Sequence, residues 1–172
     1  PISYRPVPGG TPRWGSAWKE ATAKWYGRSM NVGGSGSVMP HKHNYYDLDP
    51  TYRNPFGQPL MRMTFDFKDN EHRISRQMAE VINNIARAMK PTHMNPASAR
   101  TAPWSVVPYQ STHNTGGTIM GTSPATSVTN KYGQVWDRHN LFITGASLFP
   151  HNSAYNPTGP VGALAYFAAD AL

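Results

Sequence analysis

Two stretches of the chain repeat apolar residues at helical intervals, one alternates, and the last is apolar almost throughout. Trp14, Trp18, Ala21 and Trp25 recur three or four apart, which places them on one helical face. With Thr11 as N-cap and Pro12 at the first helical position, they predict a helix over residues 12–29. Ile74, Met78, Val81, Ile82, Ile85 and Met89 form a second stripe, predicting an amphipathic helix over 70–89 capped by Asp69 and stopped by Pro91. From Leu60 to Phe67 the period is two, with Met61, Met63, Phe65 and Phe67 on one side and Arg62, Thr64 and Asp66 on the other. That alternation predicts a half-buried strand. A short buried strand is expected at Leu141-Phe142-Ile143, ending in the small residues Gly145, Ala146 and Ser147. The alanine-rich tail after Val161 reads as a helix apolar nearly all round, of the kind buried in a larger protein.

Between these elements the chain is loop chemistry. Residues 1–10 are proline-punctuated, residues 31–37 glycine-rich, and Pro91, Pro96, Pro103 and Pro108 interrupt a connector over 91–110. Asp47-Leu48-Asp49-Pro50 and Asn54-Pro55-Phe56-Gly57-Gln58-Pro59 read as turns, and Thr126 to Asn140 as polar loop. The 15 glycines and 16 prolines in 172 residues fit that picture of many loops and few long elements.

Composition removes several functions. Without cysteine there is no disulfide, thiolate metal site or Cys-ligated cluster in these residues. The net charge of +7 suggests nucleic acid, but Arg5, Arg13, Lys19, Lys24 and Arg28 are scattered singly and no nucleic-acid motif accompanies them. A basic surface also steers anionic partners or sits against acidic headgroups. No apolar run reaches the ~20 residues of a membrane span, and the polar opening does not resemble a signal peptide. His41-Lys42-His43 places two histidines on one face of a strand, yet no further ligand stands at a recognisable spacing. Surface or substrate-lining histidines are the expectation. The tryptophans are expected to pack, with a sugar-stacking platform as the alternative.

Candidate chemistry lies in two runs near the end. Thr112-His113-Asn114-Thr115-Gly116-Gly117-Thr118-Ile119-Met120-Gly121 supplies an imidazole, the usual base for an alcohol proton near neutral pH. Its glycines let backbone approach a flat ring closely. Tyr155-Asn156-Pro157-Thr158-Gly159-Pro160 supplies an amide that holds a hydroxyl without competing for its proton. Thr158 is expected to cap the helix that follows, whose free N–H groups favour an anionic atom.

These residues resemble the closing pattern of the glucose–methanol–choline (GMC) oxidoreductases, which is His-x-x-Gly-(Gly/Thr)-x-x-Met-Gly, a strand ending Gly-(Ala/Ser)-Ser-x-x-Pro, then Asn or His before a helix. Here it reads His113 to Gly121, Asn140 to Pro150, and Asn156-Pro157-Thr158. The wording is closest to the bacterial membrane-associated branch, the flavoprotein subunits of gluconate, fructose and sorbitol dehydrogenases. The resemblance implies an α+β fold, with a substrate-domain sheet and flanking helices over 1–110. Over 111–172 it implies a catalytic run and a return segment that completes a Rossmann-like FAD-binding domain.

It further implies oxidation of a sugar, sugar acid or polyol by hydride transfer to FAD, with His113 as general base and Asn156 orienting the hydroxyl. Gly145, Ala146, Asn156, Pro157 and Thr158 would contact the cofactor. No Gly-x-Gly-x-x-Gly follows a strand here, and Gly33-Gly34-Ser35-Gly36 has the wrong spacing. An N-terminal FAD-binding half is therefore expected as the missing partner, along with any iron–sulfur cluster. The branch implies a small subunit, a cytochrome c subunit, and a place at the periplasmic face of the bacterial inner membrane. An inactive fragment, or an interaction or carbohydrate-binding module lacking flavin, is the alternative.

Overall fold

A computed structural model of the chain describes residues 6–107 and 112–171. Expectations resting on Pro1, Arg5, Pro108, Ser111 and Leu172, and the boundary drawn at 110/111, lie outside the described residues. The order is α1 (Gly15–Trp25), β1 (Tyr45–Arg53), β2 (Pro59–Thr64), α2 (Asp69–Ala88), β3 (Gln134–Val135), β4 (Arg138–Phe142), a 3-10 turn (Ala146–Leu148) and α3 (Thr158–Asp170). The class is α+β, with two small antiparallel sheets, β1–β2 and β3–β4. The chain forms two compact units, Pro1–Ser35 with Arg73–Arg100, and Gly36–His72 with Thr101–Leu172.

In the first unit, α1 is shorter than its periodicity suggests. Thr11 does not cap it, because its N–H and hydroxyl both donate to the Pro8 carbonyl, at 3.2 and 2.7 Å. Gly15 then holds φ +84°, so helical geometry begins only after it. Trp14 is 83% exposed, whereas Trp25 meets the His93 ring edge-on at 5.1 Å between centroids. The connector after α2 is strapped to that helix by polar side chains. Asn83 accepts from the Ala97 N–H and donates to its carbonyl, and Ser75 Oγ accepts from the Arg100 N–H. The α2 stripe is only partly covered, with Val81, Ile85 and Met89 about half exposed.

In the second unit, the stretch expected as turns is half of a hairpin. Tyr45 pairs with Thr64, Tyr46 with Met63, Asp47 with Arg62 and Leu48 with Met61. The turn chemistry at Asp49 is present, but inside the strand: its Oδ1 accepts from the N–H groups of Thr51 and Tyr52, where the register shifts as a bulge. β2 ends at Thr64, and it is not half-buried, since Met61 and Met63 are exposed. Only Phe65 and Phe67 beyond it find cover. Phe65 meets Trp104 at 5.3 Å, and Asp66 Oδ1 accepts from the Trp104 N–H at 2.9 Å.

The buried side chains of the described residues lie in this second unit: Thr129, Val135, Leu148, Phe149, Ala168 and Glu71. Part of the segment expected as polar loop forms β3 and the start of β4, with Gln134 opposite Phe142 and Val135 opposite Arg138. The strand expected at 141–143 is the end of β4 and is not buried, Leu141 being about half exposed. α3 is exposed at Tyr166 and covered at Ala168, with Phe167 stacked on Tyr132 at 5.3 Å.

Two loops share one hydrogen-bond frame. In Asn54-Pro55-Phe56-Gly57-Gln58 and Asn130-Lys131-Tyr132-Gly133-Gln134, the Asn Oδ1 accepts from the N–H groups two and four residues on. Its Nδ2 donates to the Gln Oε1 at 3.0 Å in both, and its N–H donates to the Gln carbonyl. The glycines match, with φ of +79° and +77°. Their surroundings do not: a Cβ on Gly57 meets open space, whereas one on Gly133 falls 2.3 Å from the Ile143 carbonyl oxygen. Gly57→Ala should therefore cost about 1–2 kcal/mol for the left-handed backbone alone. Gly133→Ala should cost more than about 3 kcal/mol, as backbone strain and collision combine. Urea unfolding of the two variants side by side checks the contrast, and equal losses would contradict it.

Candidate functional site

The two candidate runs are joined by backbone. Gly116 N–H donates to the Ala146 carbonyl at 3.3 Å, Thr118 to Ser147 at 2.9 Å, and Met120 to Leu148 at 2.9 Å. Both segments advance in the same direction, so the run that begins at His113 lies parallel to the segment that begins at Gly145. Behind the first run, Val128 and Thr129 donate to the Ile119 carbonyl and Gly121 donates to Thr129.

The glycines of the first run serve protein contacts. A Cβ on Gly121 would come within 2.8 Å of the Ser127 side chain, one on Gly116 within 3.3 Å of the Phe149 carbonyl, and one on Gly117 would touch the Tyr46 ring at 3.7 Å. At Gly116 and Gly121 the close approach of neighbouring protein atoms by itself requires a residue without a side chain. Gly145 differs, since it holds φ +117° and ψ −173° with open space where a side chain would lie. That conformation is essentially restricted to glycine.

His113 is exposed and left-handed, with φ +62°. Asn156 is exposed at the entrance to α3, two residues after a left-handed pair, Ser153 at φ +55° and Ala154 at φ +61°. Neither the His113 imidazole nor the Asn156 carboxamide has a hydrogen-bond partner among the described residues, so no hydrogen bond joins the two. Pro157 takes the N-cap place of α3, and Thr158 is its first helical residue without a side-chain cap bond. The capping role expected of Thr158 is thus absent, because Pro157 turns directly into helical geometry, with φ −86° and ψ −2°. Left-handed non-glycine residues are uncommon and cluster where function requires a set geometry. Of the four among the described residues, one is His113 itself and two, Ser153 and Ala154, stand within three residues of Asn156. The loop 151–155 was not anticipated as a structured element, although Asn152 two residues before a small residue is an Asx-turn signal.

The family model of the GMC oxidoreductases matches residues 40–165. The chain belongs to this family. The gluconate 2-dehydrogenase flavoprotein of Pantoea cypripedii is 44% identical over 173 residues, covering 100% of this chain and 28% of that protein. The 2-methyl-1,2-propanediol dehydrogenase of Mycolicibacterium austroafricanum is 30% identical over 91% of this chain and 27% of its own length. The fructose dehydrogenase large subunit of Gluconobacter japonicus is 28% identical over 83% and 25%. The chain spans about a quarter of the length of these GMC relatives.

Within the region matched to the GMC family, the histidine pair is not on a strand. Residues 41–44 form a turn, in which Asn44 N–H donates to the His41 carbonyl. His41 Nε2 lies 3.0 Å from Glu71 Oε2. Glu71 also accepts from the N–H groups of Met39 at 3.0 Å and Lys68 at 2.9 Å, the latter being the return half of a capping box at the start of α2. Burial pushes the Glu71 carboxyl up. The Met39 and Lys68 N–H groups, then Asn70 and His41, outweigh that and hold it at about 2.

Because the folded value lies below the ordinary 4.5, the stabilisation is present above pH 4.5 and is lost as pH falls towards 2. Its full size is on the order of 3 kcal/mol. Glu71→Gln should flatten the fall in stability between these values, measured by urea unfolding across pH. An unchanged slope would remove Glu71 as its source.

Proposed function

We propose that this chain supplies the proton-handling side of a flavin-dependent dehydrogenase acting on the hydroxyl of a sugar, sugar acid or polyol. The observation that carries the reading is the parallel bonding of residues 116–120 to 146–148, with an imidazole three residues before it and a carboxamide eight residues after it that have no hydrogen-bond partner among the described residues. Such groups, set by backbone and left open on the polar side, suit a ligand that brings its own donor and acceptor.

The residues present fit the ring end of a flavin. Gly145 and Ala146 offer an open glycine edge, and the first turn of α3 leaves the Thr158 and Gly159 N–H groups uncapped beside Asn156 and Pro157. Helix N-termini of this kind favour negative charge. The nucleotide end finds no glycine fingerprint in these residues, so an FAD-binding half outside them would hold it. Completion of a Rossmann-like domain by 111–172 against that half belongs to the same reading.

FAD supplies the hydride acceptor. His113 takes the proton from the substrate hydroxyl as the carbon-bound hydride departs, which lets the oxygen form a carbonyl without passing through a free alkoxide. Asn156 donates to that oxygen and fixes its direction, a bond that strengthens as the proton leaves. The same proposal includes a small subunit and a cytochrome c subunit that would receive the electrons, in a complex at the periplasmic face of the inner membrane. Support for this assembly is the likeness to relatives described as a flavoprotein and a large subunit.

A second reading, a carbohydrate-binding module without flavin, is favoured by the exposure of Trp14. Sugar binding lost on Trp14→Ala or Trp18→Ala but kept on His113→Ala would select it. For the first reading, His113→Ala in the full-length polypeptide should slow flavin reduction by about 10²–10⁴-fold in stopped-flow mixing. A wild-type rate in that variant would overturn it.

A further inference from the structure

We infer that His151 and Asn152 are positioning residues that aim Asn156. The inference rests on the proposed role of Asn156 and adds the device that sets it. Three successive N–H groups ahead of Asn156 are tied back to these two residues. Ser153 N–H donates to His151 Nδ1 at 3.2 Å, Ala154 N–H to Asn152 Oδ1 at 3.2 Å, and Tyr155 N–H to the Asn152 carbonyl at 3.3 Å. Because Nδ1 accepts, the neutral His151 ring carries its proton on Nε2.

The bonds hold Ser153 and Ala154 at φ +55° and +61°, a conformation that costs each non-glycine residue of order 1–2 kcal/mol relative to right-handed backbone. Nothing apolar compensates locally. Ser153, Tyr155 and Asn156 are exposed, while Asn152 and Ala154 are half-buried. The turn therefore depends on the two side-chain acceptors, and it joins two fixed points. Before it, Phe149 is buried and follows the segment bonded to residues 116–120. After it, Val161 N–H donates to the Pro157 carbonyl in the first turn of α3. Loss of an acceptor frees the backbone between these points and swings residue 156, and a shift of about 1 Å in a reacting geometry costs about 10²-fold.

The test is a double-mutant cycle on flavin reduction in the full-length polypeptide. Asn152→Ala and His151→Ala should each slow reduction at saturating substrate by about 10-fold to 100-fold, with the midpoint of thermal unfolding little changed. Asn152→Asp and His151→Asn keep an acceptor in place and should restore most of the rate. Ala154→Gly removes the left-handed penalty and should leave the rate near wild type. In an Asn156→Ala background, Asn152→Ala should slow reduction no further.

Additive losses in that background, or a loss in thermal stability with no loss in rate, would overturn the positioning role. If Asn156→Ala alone left the rate unchanged, the role of Asn156 itself would fail, a result distinct from either.

Discussion

The second unit depends on one narrow constraint, the side-by-side bonding of residues 116–120 with residues 146–148. It closes about thirty residues of chain, a cost that rises only slowly with loop length. Around it gather nearly all the covered side chains of the described residues. Leu148 is buried on the segment itself and Phe149 directly after it, and Thr129 and Val135 are linked to it through Ile119 and Gly121. Gly133 fits against the Ile143 carbonyl where no side chain can stand. The sheet β3–β4 thus serves to bring residue 145 to the place where the ladder starts.

A chain with so few buried hydrophobic residues holds its loops by another means. Short polar side chains accept backbone N–H groups at nearly every change of direction: Asp49 in the β1 bulge, Asn54 and Asn130 in twin turns, Asp66 towards Trp104, Asn83 towards Ala97. The electrostatic trace of this is visible in the carboxylates. The Trp104 and Phe67 N–H groups hold the Asp66 carboxyl below its ordinary range, and Glu71 is lowered by its backbone donors despite burial. These donors are satisfied within the chain rather than by water, which fixes the course of each turn.

That economy explains what was legible in the residues beforehand. The α2 stripe was readable because its period runs for fifteen residues and Pro91 marks its end. β1 was not, because Asp49 and Pro50 are turn residues that here make a bulge within a strand. Thr11 looked like a cap and instead closes a turn on Pro8, since Gly15 sets where the helix begins. Residue type and spacing single out His113 and Asn156, and both fall within residues 40–165, the stretch matched to the GMC family. Their backbone setting was not legible, because left-handed conformations at His113, Ser153 and Ala154 have no glycine to announce them. The partnership of His41 with Glu71 was equally hidden, thirty residues apart with no periodic link.

Three of the four left-handed non-glycine residues among the described residues flank the ladder, His113 three residues before its first rung and Ser153 and Ala154 four and five residues after Phe149. Side-chain packing does not hold the exposed residues there, so their geometry comes from the rung ends and from local acceptors. A site made this way separates two properties that cores usually bind together. The fold rests on Leu148, Phe149 and Gly133, while the direction of the imidazole and the carboxamide rests on exposed backbone. Under the proposed function, chemistry and stability answer to different residues, and the residues that answer for chemistry are those whose removal leaves the buried ones untouched.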